Sequence, residues 1–540
     1  MIIPDHKIGL PLSALAVFTG KVRPLTIIAL VATFLTSCMV GPNYQVPKAD
    51  VAPTWTTNPA ITNRPFSDVE IFWWRNLNDP ILNQLIESAC ARNLSLQIAG
   101  ARILETRARL NHSLGNLFPQ QQGISGQVNY AQLNNSLLAE IPGVNPDYVS
   151  DQVVFGATWE IDFWGKYRRG IESDRAGFLG SIAAYDDAMI TLIADVASTY
   201  VNIRTLEERI RVATRNVTTQ SESLRIATAQ FNGGEASERD LQQATTRLKQ
   251  TEAQIPLLNA VLAQNKYGLG VLLGEVPGEI DQHLAGPSQI PVAPPAVAVG
   301  IPKDLLRRRP DVVAAGLQAA SYSALIGVAK AQMYPAFSLS GEFGYASDNQ
   351  AKNSLGDLFN WQNRMVNAGA GVVFPVFNYG RLINQVRVQD ALFEQALLNY
   401  QNTVLTAQQE VNTGLANFAG QQSALLSLSR AAVAARRSAE LALIQYKSGQ
   451  TDYTTVLSAE QSELSVEDDV AATKGNLMLS LISVYRALGG GWEIRGTNDI
   501  LSASVKAEMA RRTNWGRMLE PLHHLPPGSP VARGTEPNRQ

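Results

Sequence analysis

From Gln152 to Phe163 apolar and polar side chains alternate: Val153, Phe155, Ala157, Trp159, Ile161 and Phe163 take the odd positions, Gln152, Thr158, Glu160 and Asp162 the even ones. A period of two places successive side chains on opposite faces of an extended chain, so the stretch predicts a strand with one greasy and one wet face. A weaker partner strand is predicted around Ile124 to Gln132, with Val128 and Tyr130 in phase. The alternation returns with Phe337, Leu339, Phe343 and Tyr345 against Ser338, Ser340 and Glu342. It appears once more in Val366, Ala368, Ala370, Val372, Phe374 and Val376. Each stretch has about the 9–11 residues with which a tilted strand crosses a bilayer.

Between the strands the period changes to that of a helix. Leu82, Leu85 and Ile86 share one face of a predicted helix over Ile81 to Asn111. Ala176 to Gln230 and Ala391 to Gln445 run without proline, and at 1.5 Å per residue each extends on the order of 80 Å. A compact domain cannot bury such lengths, so these helices are expected to pack lengthwise as a coiled assembly. Gly233, Gly234 and Gly449 mark the tips where each turns back. Ser237 and Asp240 have the spacing of a capping box for the first return helix, and Pro256 is expected to kink it.

These elements occur in the same order twice. Ser125-Gly126 with Tyr130 recurs as Ser340-Gly341 with Tyr345, where 340 − 125 = 215. Trp164-Gly165-Lys166 against Tyr379-Gly380-Arg381, Phe231 and Gly234 against Tyr446 and Gly449, and Leu273-Gly274 against Leu488-Gly489 keep that offset. One register held over so long a span means two copies of one unit. The organisation read from the chain is a signal peptide over 1–37, an N-terminal segment over 38–80 and a first repeat over 81–274. A proline-rich linker over 275–302, a second repeat over 303–492 and a mostly disordered tail over 493–540 complete it.

Four amphipathic strands cannot close a barrel alone, because an open edge in lipid leaves backbone groups unpaired and closed barrels begin at about eight strands. The chain is therefore expected to oligomerise through its strands. Two copies would supply eight and three copies twelve; an eight-stranded barrel is filled by its own side chains, which favours three or more if the barrel conducts. On this phase Phe155, Trp159, Phe163, Phe343 and Phe374 face lipid, while Glu160 and Asp162 line the lumen.

Composition narrows the function. With 45 basic and 47 acidic side chains, no strong field favours nucleic acid. Lys21 and Arg23 precede an apolar run from Leu25 to Leu35 and then Leu35-Thr36-Ser37-Cys38, a lipobox-like ending that puts a covalent lipid on Cys38. An ordinary secretory signal is the alternative, and the long stretch before Lys21 suggests a start later than Met1. Only Cys90 remains besides Cys38, which leaves no thiolate cluster and no intrachain disulfide; Cys90 reads as a buried structural thiol. None of the five histidines sits in a metal-protease or triad setting. Gly268, Gly270 and Gly274 lie near a helix end rather than after a strand, so a nucleotide loop is discounted. Asp186-Asp187 and Asp468-Asp469 read as solvated helix faces. No enzyme, metal or cofactor beyond the lipid is expected.

Several motifs taken together resemble the outer-membrane factor family of efflux systems, the TolC-like channels, and within it the NodT-type lipoprotein branch. They are Cys38-Met39-Val40-Gly41-Pro42-Asn43-Tyr44, Trp73-Trp74 with Asn78-Asp79-Pro80, Asp162-Phe163-Trp164-Gly165-Lys166, Leu305 to Val312 and Ile326 to Lys330, with Gly234, Ser237 and Asp240 at the first tip. Gly316, where the family usually has an acidic residue, and the tail beyond 492 depart from the pattern. The resemblance implies an α+β membrane protein and a homotrimer whose protomers each give four strands to a twelve-stranded outer-membrane barrel, above a periplasmic tunnel of coiled helices. It implies a passive exit duct for drugs or other small molecules, engaging a periplasmic adaptor and an inner-membrane RND pump. It also implies tips that close the resting tube, making Asp240 and Asp452 the gate candidates. The alternatives are the channel of a type I protein-secretion system and a non-conducting structural lipoprotein.

Overall fold

The computed structural model describes residues 39–48, 50–55, 61–62, 71–132, 147–276, 278–286, 288–294, 297–298, 308–349, 355–496 and 499–520. The signal segment, Cys38, Leu305 to Arg307 and residues 521–540 lie outside them. The described chain forms two units.

The first unit, built from the described residues of 117–168 and 330–379 with Met39 to Gly41, is a four-stranded antiparallel sheet in sequence order. Its strands are β1 (Gln121–Gln132), β2 (Asp147–Ile161), β3 (Ala336–Asp348) and β4 (Arg364–Val373). The two copies meet at its centre, where β2 pairs with β3 and Phe155 lies opposite Phe343. Gly165, at φ 79°, turns the chain from β2 into the following helix. A Cβ there would come within 2.7 Å of Met39 Cγ, so both the turn and the close approach require glycine.

The second unit is helical. The stretch expected as one helix is two, α1 (Pro80–Arg92) and α2 (Leu94–Gly115). Apolar periodicity runs through the junction, but Asn93 leaves the helical region, caps α2 through Leu96 N, and donates from Nδ2 to Leu272 O at 2.9 Å. The motif ahead of α1 explains itself physically. Asn78 takes a left-handed turn at φ 51°, Asp79 accepts from Ile81 N and Leu82 N, and Pro80 fills the first helical position. Tyr200 donates its hydroxyl to the second Asp79 oxygen at 2.7 Å. Trp73 stacks on Tyr485 with ring centroids 5.4 Å apart.

The long helices are α3 (Lys166–Asn232), α4 (Glu238–Leu273), α6 (Arg381–Lys447) and α7 (Tyr453–Ala487), with α5 (Pro310–Ala331) ahead of β3. α3 and α6 have 67 residues each, about 100 Å at the α-helical rise. Their first residues stand 381 − 166 = 215 apart, the offset read in the sequence. α4 continues helical through Pro256. Gly268 and Gly270 lie inside α4, and Gly274 is its left-handed C-cap, packed against Arg92 O. α3 and α5 contain windows apolar enough to span a membrane, yet Val312, Leu317, Ala319, Ala324 and Ile326 of α5 are buried, as in a core helix.

Two expectations are corrected here. The tail is not without structure from 493 onward: Ile500 and Leu501 are buried and Ser502 caps a further helix, α8 (Ala503–Arg512). Gly100 lets this segment approach, since a Cβ there would lie 2.4 Å from Ile500 O. Asp186 is not on a solvated face either, being 7% exposed and ion-paired with Arg495 at 3.1 Å. Burial, against the opposing Arg495 charge, pushes its carboxyl up to about 7. Asp468 pairs with Arg209 at 2.8 Å.

Candidate functional site

Three features of the fold are candidates for a functional role: the two faces of the sheet, the hairpin tips, and the polar residues between the tips and the main core. In the sheet the strand register carries the alternation across all four strands. Ile124 stands opposite Phe155, Phe155 opposite Phe343, and Phe343 opposite Val366. One step along, Gly123 stands opposite Gly156, Gly156 opposite Glu342, and Glu342 opposite Asn367. Through these rows one face is thus apolar and the other small or polar, while toward one end Asp151 and Ser347 enter the apolar phase and Val154 and Met365 the other. Ile124, Phe155, Phe343 and Val366 are all exposed apolar residues, which in water would be an aggregation surface. β1 and β4 each have a neighbour on one side only among the described residues.

Not every residue assigned to this wall lies in a strand. β2 ends at Ile161 and β4 at Val373, so Phe163 and Phe374 fall just beyond. Phe163 packs edge-on against Trp164 at 4.7 Å and near Phe337 at 5.4 Å. Trp159 is half-buried and donates its indole N–H to Leu117 O at 3.1 Å. Asp162 likewise serves the turn rather than an open lumen: it accepts from Tyr167 N and Arg168 N at 3.0 Å and pairs with the Arg168 guanidinium. Glu160 accepts from Lys166 Nζ at 2.8 Å and from the Tyr167 hydroxyl at 3.1 Å.

The tips form a small apolar cluster of Ile226, Ala227, Ala244, Ala442, Tyr446, Tyr453 and Val456. Gly234 and Gly449 stand at φ 77° and 69°, the left-handed geometry that ends α3 and α6. At the first tip Ser237 and Asp240 make the full reciprocal capping box, and Asp240 is 8% exposed. At the second, Asp452 caps α7 through Thr455 N and is exposed. Hydrogen bonds from Thr454 and Thr455, with the Arg239 charge nearby, hold the Asp452 carboxyl below its ordinary value. Gly233, Gly234, Ser237 and Gly449 therefore occupy the turns where the chain pattern put them.

Sequence reasoning missed the polar layer behind the tips. Glu460, Glu463 and Glu467 sit on the buried side of α7. Arg215 and Arg436 both bind Glu467, and Ser223 donates to Glu460. Their spacing of three and four residues, continuing Tyr453 and Val456, was the available signal.

The outer membrane efflux protein family model matches residues 85–275 and 301–490. Nodulation protein T of Rhizobium leguminosarum bv. viciae is 28% identical over 86% of this chain and 93% of its own length. The probable efflux pump outer membrane protein TtgC of Pseudomonas putida is 29% identical over 87% of this chain and 96% of its own. Among solved structures the outer-membrane channel OprN aligns with a TM-score of 0.76 and 29% identity, covering 84% of this chain and 100% of that one. With its strands, coiled helices and two structural repeats, the chain has the fold class of an outer-membrane channel. It belongs to the outer membrane efflux protein family. It acts in the outer membrane as the channel component of efflux.

Proposed function

We propose that three copies join edge to edge through β1 and β4 into a twelve-stranded barrel, apolar face to lipid and polar face to a water-filled lumen. The observation that carries this is the in-phase segregation of the two faces across four strands with two open edges. An edge left unpaired in hydrocarbon costs several kcal/mol for each backbone group, which strand pairing between copies removes. Phe155, Trp159 and Phe343 meet lipid within the strands, with Phe163 and Phe374 at the strand ends. The covalent lipid on Cys38 adds a second anchor.

The helical hairpins form the periplasmic tube, and their tips close it at rest, with Asp452 the exposed acid at the constriction and Asp240 a helix cap. A periplasmic adaptor and an inner-membrane RND pump engage the tube, and no chemical step is assigned to the chain. The efflux-pump name of the Pseudomonas putida relative supports small molecules as cargo over exported proteins.

The test is cross-linking of cysteine pairs placed at the β1 and β4 edges, followed by planar-bilayer recording of the purified assembly. A covalent trimer that conducts is the expected result; dimers only, or trimers without conductance, would reject the duct. Loss of radioactive palmitate labelling in Cys38→Ser is expected from the lipid assignment, and retained labelling contradicts it.

A further inference from the structure

α7 seats itself on the rest of the bundle through one face that changes character along its length. Tyr453 and Val456 at the tip are apolar, Ala471 and Met478 farther up are apolar, and Glu460, Glu463 and Glu467 between them are 2%, 9% and 4% exposed. Three helices face this acidic stretch. α3 contributes Arg215, Asn216, Gln220 and Ser223; α6 contributes Arg436, itself beside Glu440; α4 contributes Arg247.

The charges are unevenly shared. Glu467 takes Arg215, Arg436 and the Asn216 amide. Glu463 has Arg436 at 3.9 Å and feels the Arg215 charge without a short contact to it, and it stands one helical turn from both the Glu467 and Glu460 charges. Both ends of the Gln220 amide, one Glu460 carboxylate oxygen and the Arg247 Nε are buried without a hydrogen-bond partner. A polar layer satisfied only in part is a weak seam in a coiled packing, and this one separates the tip cluster from the main core.

We propose that this layer is a proton-controlled latch on the hairpin tips: with Glu463 protonated α7 stays seated on α3 and α6, and loss of that proton lets its tip-ward end loosen. The titrations support the geometry. Burial, with Glu467 adding to it and the Arg436 and Arg215 charges opposing, pushes the Glu463 carboxyl from its ordinary 4.5 up to about 7. Burial raises Glu460 as well. For Glu467 burial also works upward, yet Arg436 and Arg215 prevail and hold it low. A carboxyl raised in the folded state contributes stability below its unfolded value and loses it as pH rises through the folded one. The seam therefore weakens between 4.5 and about 7 through Glu463. Glu467 has the opposite sign, and its contribution is lost only as pH falls below its ordinary 4.5.

The link from latch to conduction rests on the tips being the gate; the latch itself does not. Amide exchange of the full-length assembly in detergent or nanodiscs, followed over 444–456 and corrected for intrinsic rates, reads the latch directly. From about pH 6 to about pH 8 opening should increase roughly tenfold in the wild type, the ratio linkage gives for a carboxyl moving from 4.5 to about 7. Glu463→Gln and Glu463→Leu should each remove most of the increase, leaving what Glu460 contributes, while Glu222→Gln, at an exposed pair with Arg225, should keep it. No increase in the wild type, or an increase undiminished in Glu463→Gln, overturns the proposal. An increase without any change in bilayer conductance over the same range upholds the latch and rejects the tips as the gate.

Discussion

The two copies of the repeat are alike in backbone and unlike in how they seal their return helices. α3 and α6 are equal in length, each turns at a left-handed glycine, and each return helix starts at a side-chain cap. At matched positions, where 463 − 248 = 215, α4 buries Leu248 and α7 buries Glu463. The caps diverge in the same direction. At the matched N-caps, where 452 − 237 = 215, Ser237 is closed into a reciprocal box with Asp240, whereas Asp452 is held by the hydroxyls of two threonines. One duplicated backbone thus carries a fixed hairpin and an adjustable one, because the strength of the seam is set by side chains that the fold does not dictate.

Substitutions at matched positions break or sharpen this contrast. The largest effect is expected at Leu248→Ala, which leaves a cavity in the fixed hairpin and should cost about 2–5 kcal/mol in reversible unfolding. Glu463→Leu, giving the second copy the residue of the first, should instead be neutral or stabilising, since replacing buried ionic groups by apolar ones often is. Equal losses at both sites would mean that the hairpins are sealed alike. In the sheet the copies should behave as one: Phe155→Arg and Phe343→Arg, directly opposed, should each cost about 2–4 kcal/mol of barrel stability if near the bilayer midplane. A loss at only one of them would show that β2 and β3 do not present the same face. The smallest effects belong to the caps. Asp240→Ala should lower stability by about 1 kcal/mol with conductance unchanged. Asp452→Ala should leave the fold nearly intact and raise baseline conductance or weaken cation block. Unchanged conductance and unchanged cation sensitivity in a folded Asp452→Ala trimer would remove Asp452 from the gate.

How far the molecule could be read from its residues depends on whether a signal was periodic. The four strands, the offset of 215 and both tips were legible because alternation, repetition and glycine at a forced turn are local patterns. The break at Asn93 was hidden, since Leu96 follows Leu82, Leu85 and Ile86 in helical phase and only the Asn93 side chain reveals the cap. The helices α3 and α6 start at Lys166 and Arg381, ahead of the proline-free stretches from Ala176 and Ala391; the first turn of α3 is basic and carries no apolar period, while that of α6 holds Leu382 and Ile383. The tail is proline-rich only from Pro521 onward, whereas 499–512 contain no proline and Ser502 is a good N-cap, so the local signal for α8 was present. Glu460, Glu463 and Glu467 escaped because an acid on a helix is ordinarily solvated, and only the pairing of four helices shows them buried.

The claim on which the rest depends is that the sheet is the wall of a membrane barrel with lipid on one face and water on the other. Single cysteines at successive positions from Val153 to Trp159 and from Leu339 to Phe343, probed with a water-soluble thiol reagent in reconstituted membranes, test it directly. Labelling should alternate, weak at Val153, Phe155, Ala157, Leu339 and Phe343 and strong at Gly156, Thr158, Ser340 and Glu342. Equal labelling at odd and even positions would contradict the account.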